Sequence, residues 1–304
     1  MIKINIWTAS KIEETIFNLL LVVIMTSIII CTLYPFWNTI AVSFNQATDT
    51  IRGGITFWPR IFSLQNYRTV FATGTIYNAF FISVCRTVIN TIVNVFFTSM
   101  MAFALSRREY VLRKPLTLIL ILSMYINAGL IPNYFLMRSL HLTNSFLVYI
   151  VPGIINAFNF VVIRTYMRTL PESIIESARI DGCGDFWVFI RIILPLCLPV
   201  LATIALFVAV ESWNSWFDTL IYNSGEAKLH SLQYKLMEYI QSSQSQAKSA
   251  SDVGAMSMQS SAGMVTPVSI RAAVTVIAAL PILVVYPFMQ RYFVVGLNVG
   301  SVKE

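Results

Sequence analysis

Two ionisable side chains, Arg86 and Glu211, sit inside otherwise apolar stretches of the chain. A charge at membrane depth is costly enough to require a partner or a polar cavity. The first expectation is a structural ion pair between them, locking two helices together; the second is a shared polar lining of a cavity. Reactive chemistry has little support. His141 and His230 are too few and too far apart to suggest a metal centre or a catalytic triad. Cys31, Cys85, Cys183 and Cys197 show no Cys-x-x-Cys spacing, and free thiols are expected. No catalytic residue and no metal ligand is therefore assigned.

The elements that position these residues follow from composition. Hydrophobic residues make up 57% of the 304 positions and charged residues 12%, with a mean hydropathy of +0.71, against about a quarter charged in a soluble domain. Apolar runs of roughly 20 residues cross a hydrocarbon core as helices, because only helices or closed barrels satisfy their own backbone there. Six spans are expected, at about 15–37, 77–105, 116–137, 145–167, 192–213 and 271–293. The formal net charge of +7 reflects Lys and Arg gathered on one side of a bilayer rather than a nucleic-acid site. The short Ser106–Pro115 loop holds Arg107, Arg108, Arg113 and Lys114, which marks the cytoplasmic side and places both termini there. The first span lacks a small-residue cleavage site and reads as uncleaved. The expected organisation is a first span and external loop over 1–76, a core transmembrane domain over 77–293 and a cytoplasmic tail over 294–304. Within the core lie an internal segment at about 168–191 and an external segment at about 214–270. The part of the latter from Gln241 to Gly263, rich in Ser, Gln and Ala, reads as a flexible loop.

The internal segment, T-L-P-E-S-I-I-E-S-A-R-I-D-G-C-G-D-F-W-V-F-I-R-I-I-L-P, predicts two short helices with a sharp turn between them. Pro171 and Glu172 suit a helix start, and Gly182 suits a left-handed cap at its end. Asp185 suits the cap of the second helix. Ile174 with Ala178 and Ile175 with Arg179, each at i and i+4, give the first helix an apolar and a polar face. A compact amphipathic knob results, fitted either to a partner or to the lipid interface.

Glu176, Ser177, Ala178, then three residues, Gly182, nine residues, Ile192, one residue, Leu194 and Pro195 reproduce the spacing of the EAA loop, with Ser177 in place of the usual Ala. The chain thereby resembles the permease subunits of ABC importers. F-W-P-R-I-F-S-L-Q-N-Y from Phe57 to Tyr67 and W-N-S-W-F-D from Trp213 to Asp218 resemble the maltose-type carbohydrate permeases. The stretch from Tyr125 to Asn144, with V-Y-I-V-P-G after it, is most similar to the LplC and YtcP group. The resemblance implies an all-α polytopic protein of the type I ABC importer permease fold with six transmembrane helices, in a bacterial cytoplasmic membrane. It implies that Glu176, Ser177, Ala178, Asp181 and Gly182 form the coupling contact with an ATPase. The implied partners are a second homologous permease, two copies of the ATPase and an extracellular solute-binding lipoprotein that delivers an oligosaccharide. ATP and Mg would be bound by the ATPase, no cofactor by this chain, which lacks a G-x-x-x-x-G-K-[ST] phosphate loop. Candidates for the substrate path are Arg86, Glu211, Trp213, Asn214, Trp216 and Asp218, since sugars offer apolar faces to aromatics and hydroxyls to amides and carboxylates. An interfacial aromatic belt accounts for the same tryptophans. The alternative class is an ion-coupled secondary sugar transporter, disfavoured because such carriers commonly hold acidic groups near mid-membrane, whereas the expected span interiors offer little beyond Arg86 and Glu211.

Overall fold

A computed structural model describes residues 6–72, 74–252 and 266–301. Helices dominate, and among the described residues no strand forms beyond an isolated bridge between Asn45 and Phe62. The helices that matter below are α1 (Ile6–Ser43), α2 (Thr75–Ser106), α3 (Arg113–Ser123), α4 (Leu130–Ser139), α5 (Ala157–Met167), α6 (Glu172–Ile180), α7 (Leu198–Asn214), α8 (Leu232–Asp252) and α9 (Pro267–Ser301). Two compact units emerge, one from residues 6–72, 239–252 and 266–277, the other from 74–238 and 278–301.

In the first unit, α1 exposes apolar side chains on every side from Ile16 to Ile30, as a lipid-facing span does. The chain beyond it is not a slack loop. Asn66, buried, donates to the carbonyls of Ser43 at 2.8 Å and Asn45 at 2.9 Å, and Arg60 pairs with Asp49 at 3.0 Å. Trp37 donates its indole N–H to the Phe57 carbonyl at 2.7 Å, so the F-W-P-R motif folds back on the end of α1.

Among the described residues three helices are long and apolar enough to cross a membrane, Glu13–Ser43, Thr75–Ser106 and Pro267–Pro287, and two bent pairs raise the number to as many as five. The expected span at 116–137 is not one helix. It breaks into α3 and α4, because Asn127 turns back to accept the Gly129 N–H at 2.9 Å and Gly129 holds φ +88°. An Asn side chain competing for backbone N–H, followed by a conformation only glycine tolerates, ends a helix. The expected span at 145–167 opens as two 3-10 turns, Phe146–Tyr149 and Val151–Gly153, and bends 47° into α5, whose start Asn156 caps by accepting the Asn159 N–H at 3.1 Å. The expected span at 192–213 lies across an 83° bend between Asp185–Leu196 and Leu198–Asn214, where Pro195 and Pro199 each withhold an N–H.

Breaks at this depth require side chains to satisfy the freed backbone groups. Helix α2 supplies them. Asn94 donates to the Gly153 carbonyl and Thr98 to that of Ile154 at 3.4 Å. Helix α2 packs chiefly on α7 and α5, and it buries small side chains along its length, Ala79, Ser83, Ser99 and Ala102, all nearly inaccessible. In lipid, where apolar surface gains nothing from leaving water, such close backbone approach is what holds helices together. Phe160, Ile163, Met167, Phe189, Ile193 and Ile204 fill the core beneath.

Candidate functional site: an amphipathic knob and a polar cavity

Helix α6 starts at Glu172 with Pro171 as its cap residue and ends in a Schellman turn. The Cys183 N–H reaches the Ala178 carbonyl at 2.9 Å, the Gly182 N–H reaches that of Arg179 at 3.0 Å, and Gly182 takes φ +81°. The second helical turn begins at Asp185 with Gly184 as its cap residue, so the expected cap by Asp185 is corrected. The Asp185 carboxylate instead accepts from Arg179 at 3.0 and 3.2 Å, while the same guanidinium holds Glu109 at 2.7 Å. Arg179 thereby ties the knob to the loop that follows α2. Its hydrogen bond and charge hold the Glu109 carboxyl below the usual range, and the Arg179 guanidinium is raised in turn. The contact is therefore complete at neutral pH and is lost only as pH falls through the depressed Glu109 value.

The knob's faces separate cleanly. Ile175 and Ala178 are buried in the chain's own core, whereas Glu176, Ser177, Asp181 and Gly182 are exposed. The small size of Ala178 serves close packing within this chain. Elsewhere in the segment Ile180 is 86% exposed, Phe186, which lines a pocket with Phe103 and Arg107, 57%, and Trp187, under the Arg191 guanidinium, 54%.

The second feature is a cavity of about 150 Å³ lined by residues that include Arg86, Asn90, Asn94, Asn159, Glu211 and Asp218. Arg86, 3% exposed, does not pair with Glu211. Its guanidinium grips Asp218 at 2.6 and 3.3 Å, lies 4.4 Å from the Tyr149 ring centre and also donates to the Ser215 carbonyl at 3.4 Å. The expected Arg86–Glu211 pair is thus replaced by Arg86–Asp218. The physical reason is that the chain turns after Asn214 and Asp218, one short helix on, swings back under α2 while accepting the Thr219 N–H at 2.8 Å. Glu211 remains exposed on the cavity wall. Trp213 is buried, and its indole N–H donates to the Ala278 carbonyl in α9 at 2.9 Å. Asn214 is exposed and accepts from Gln233 at 3.5 Å; Trp216 packs edge to face on Phe217.

The segment after Asp218 is a folded cap. The Leu232 N–H donates to Ser83 at 2.8 Å, Asn78 to the Lys228 carbonyl at 2.7 Å and Tyr149 to that of Leu229 at 2.7 Å. Beyond it, α8 runs through Asp252, so the flexible loop expected from Gln241 to Gly263 is helical over its first half. Residues 253–263 lie outside the described residues. The cavity asparagines were not among the sequence candidates. Their signal was present as Arg86, Asn90, Asn94 and Thr98, each four residues apart, a polar stripe along one face of an apolar helix.

The sequence profile described as "Binding-protein-dependent transport system inner membrane component" matches residues 86–298. The chain belongs to this family. The permease is 38% identical over 275 residues to "Polygalacturonan/rhamnogalacturonan transport system permease protein YtcP" of Bacillus subtilis (strain 168), covering 90% of this chain and 93% of that one. It is 40% identical over 273 residues to "Protein LplC" of the same organism, covering 90% of each. Among solved structures, a bacterial ABC transporter involved in the import of the acidic polysaccharide alginate matches the permease with a TM-score of 0.81 and 25% identity, covering 92% of this chain and 98% of that one. The permease is the membrane-embedded transport subunit of an ABC importer, an inner membrane component with the importer permease fold. Its four cysteines are free thiols. Among the described residues no group of His, Cys, Asp and Glu is arranged to hold a metal.

Proposed function

We propose that the permease imports oligosaccharides handed over by an extracellular solute-binding protein, driven by ATPase subunits on separate chains. In this reading it pairs with a second, homologous permease and rests on two ATPase copies, which hold the ATP and Mg. The observation that carries the reading is the knob. Glu176, Ser177, Asp181 and Gly182 stand exposed on and just after a helix whose other face, Ile175 and Ala178, is locked into the core, and Ile180 at its end is exposed as well. An exposed amphipathic helix anchored in this way suits a protein cleft. A helix fixed to the spans by Ile175, Ala178 and Arg179 passes on a rigid displacement, which exchanges inward-open and outward-open cavities when the ATPases close. The chain crosses the membrane six times in this reading, with α3 and α4 as one broken crossing, and both termini are cytoplasmic. Arg86, Glu211 and Asp218, with Asn214 and Trp216 toward the outer end, line the substrate path. Relatives named for pectic glycans and a structural neighbour named for alginate import support a glycan as cargo.

The test is reconstitution of the whole complex in liposomes with its binding protein. Uptake is expected to require ATP and to be lost with an ATPase that cannot hydrolyse it, while collapse of proton and sodium gradients leaves uptake unchanged. Uptake that follows an ion gradient without ATP would replace this reading by the secondary-transporter one.

A further inference from the structure

We infer that the cavity between Asn90 and Glu211 is a binding site for one uncharged sugar residue of the transported glycan, built to reject a uronate. The inference rests on the importer reading above and adds the charge class of the ligand at this position.

Hydrogen-bonding capacity is the first argument. Buried polar atoms normally find partners. Here the Arg86 Nε and the Asn90 Oδ1, both buried, have none. Asn90 is not free to turn and find one, because its amide nitrogen is committed to Ser212 Oγ at 2.7 Å. Asn94 and Asn159 are joined at 3.4 Å, which sets the floor. A fixed acceptor at Asn90, a fixed donor at Arg86 and the Glu211 carboxylate on the wall fit the mixed donor and acceptor character of sugar hydroxyls.

Charge is the second argument, and it decides the class. The guanidinium of Arg86 is already neutralised by Asp218 in a two-point contact, so Glu211 leaves the lining one negative charge in excess. A uronate carboxylate entering this space meets a like charge at Glu211 and finds its natural guanidinium occupied by Asp218. A neutral sugar meets neutral donors and acceptors of the asparagines beside that carboxylate, with no charge opposed. Selectivity by an unfavourable charge against the wrong ligand is a general device.

The experiment uses the complete transporter in nanodiscs, incubated with an equimolar mixture of neutral trisaccharides (xylotriose, arabinotriose and galactotriose) and acidic ones (trigalacturonate and trimannuronate). The sugars retained are identified by mass spectrometry. Wild type is expected to retain neutral members only. Asn90→Leu is expected to lower retention about tenfold through loss of a buried hydrogen bond, and Glu211→Gln to admit the acidic members. Retention of uronates by wild type, Asn90→Leu equal to wild type, or continued exclusion of uronates by Glu211→Gln each overturns the inference. So does no retention at all by a transporter that still performs ATP-driven uptake, which would leave the importer reading intact; loss of ATP-driven uptake in wild type would strike that reading instead.

Discussion

Replacing Asp218 by leucine is expected to be the most damaging single substitution in the transmembrane core. Arg86 is 3% exposed and Asp218 23% exposed, and their two-point contact ties α2 to the segment after α7. Removing one partner of such a pair leaves a charge buried without compensation and costs about 3 kcal/mol or more, whereas removing both can be nearly neutral. The expected order of damage is therefore Asp218→Leu first, Arg86→Leu second, since water still reaches Asp218, and the double variant least. Glu211 lines the same cavity and is able to substitute for Asp218, so the cycle is run in a Glu211→Gln background. Thermal survival of the assembled complex in detergent is the measure. Additive losses would remove the pair from the list of interactions that hold the fold.

The second large effect is expected at Gly182. Its φ of +81° lies where side chains with a Cβ are strained, yet nothing stands within 4 Å of the position a Cβ would take. The penalty of Gly182→Val is thus purely one of backbone conformation, about 1–3 kcal/mol for a β-branched residue. It falls on the Schellman turn that ends α6. Transport is expected to fall by more than tenfold while membrane insertion persists. Gly182→Asn, which tolerates the left-handed conformation, is expected to retain most of it. If valine and asparagine behave alike, turn geometry is not what the coupling segment requires.

The contrast between these two positions explains what the sequence made legible. Pro171 and Gly182 act on their own backbone within a turn or two, so the start and stop of α6 were readable to within a residue. The partner of Arg86 was not readable. Depth along a span pointed to Glu211, whereas the choice of Asp218 depends on a chain reversal after Asn214 that no local signal fixes. Asp185 shows the same limit: its type suits a cap, but Arg179 across the turn attracts the carboxylate more strongly than a backbone N–H does. The helix breaks at 124–129 and 150–156 were hidden because hydropathy averages over them, and at the second the partners of the Gly153 and Ile154 carbonyls, Asn94 and Thr98, come from another helix. The burial of Trp213 was unreadable for a related reason: an aromatic at a span end suits a sugar or an interface, and only the approach of Ala278 in α9 shows that its N–H is taken.

The central claim is that the knob lies on the cytoplasmic face beneath an ATPase subunit, and Cys183 tests it without any substitution. Its thiol is exposed, next to Gly182 in the turn. A membrane-impermeant maleimide is applied to intact cells and to inverted vesicles, with the ATPase either present or stripped away, and modification of Cys183 is read by mass spectrometry. The expected result is no labelling from outside, strong labelling in stripped inverted vesicles, and protection once the ATPase is restored. Labelling of Cys183 in intact cells, or equal labelling with and without the ATPase, would contradict the claim.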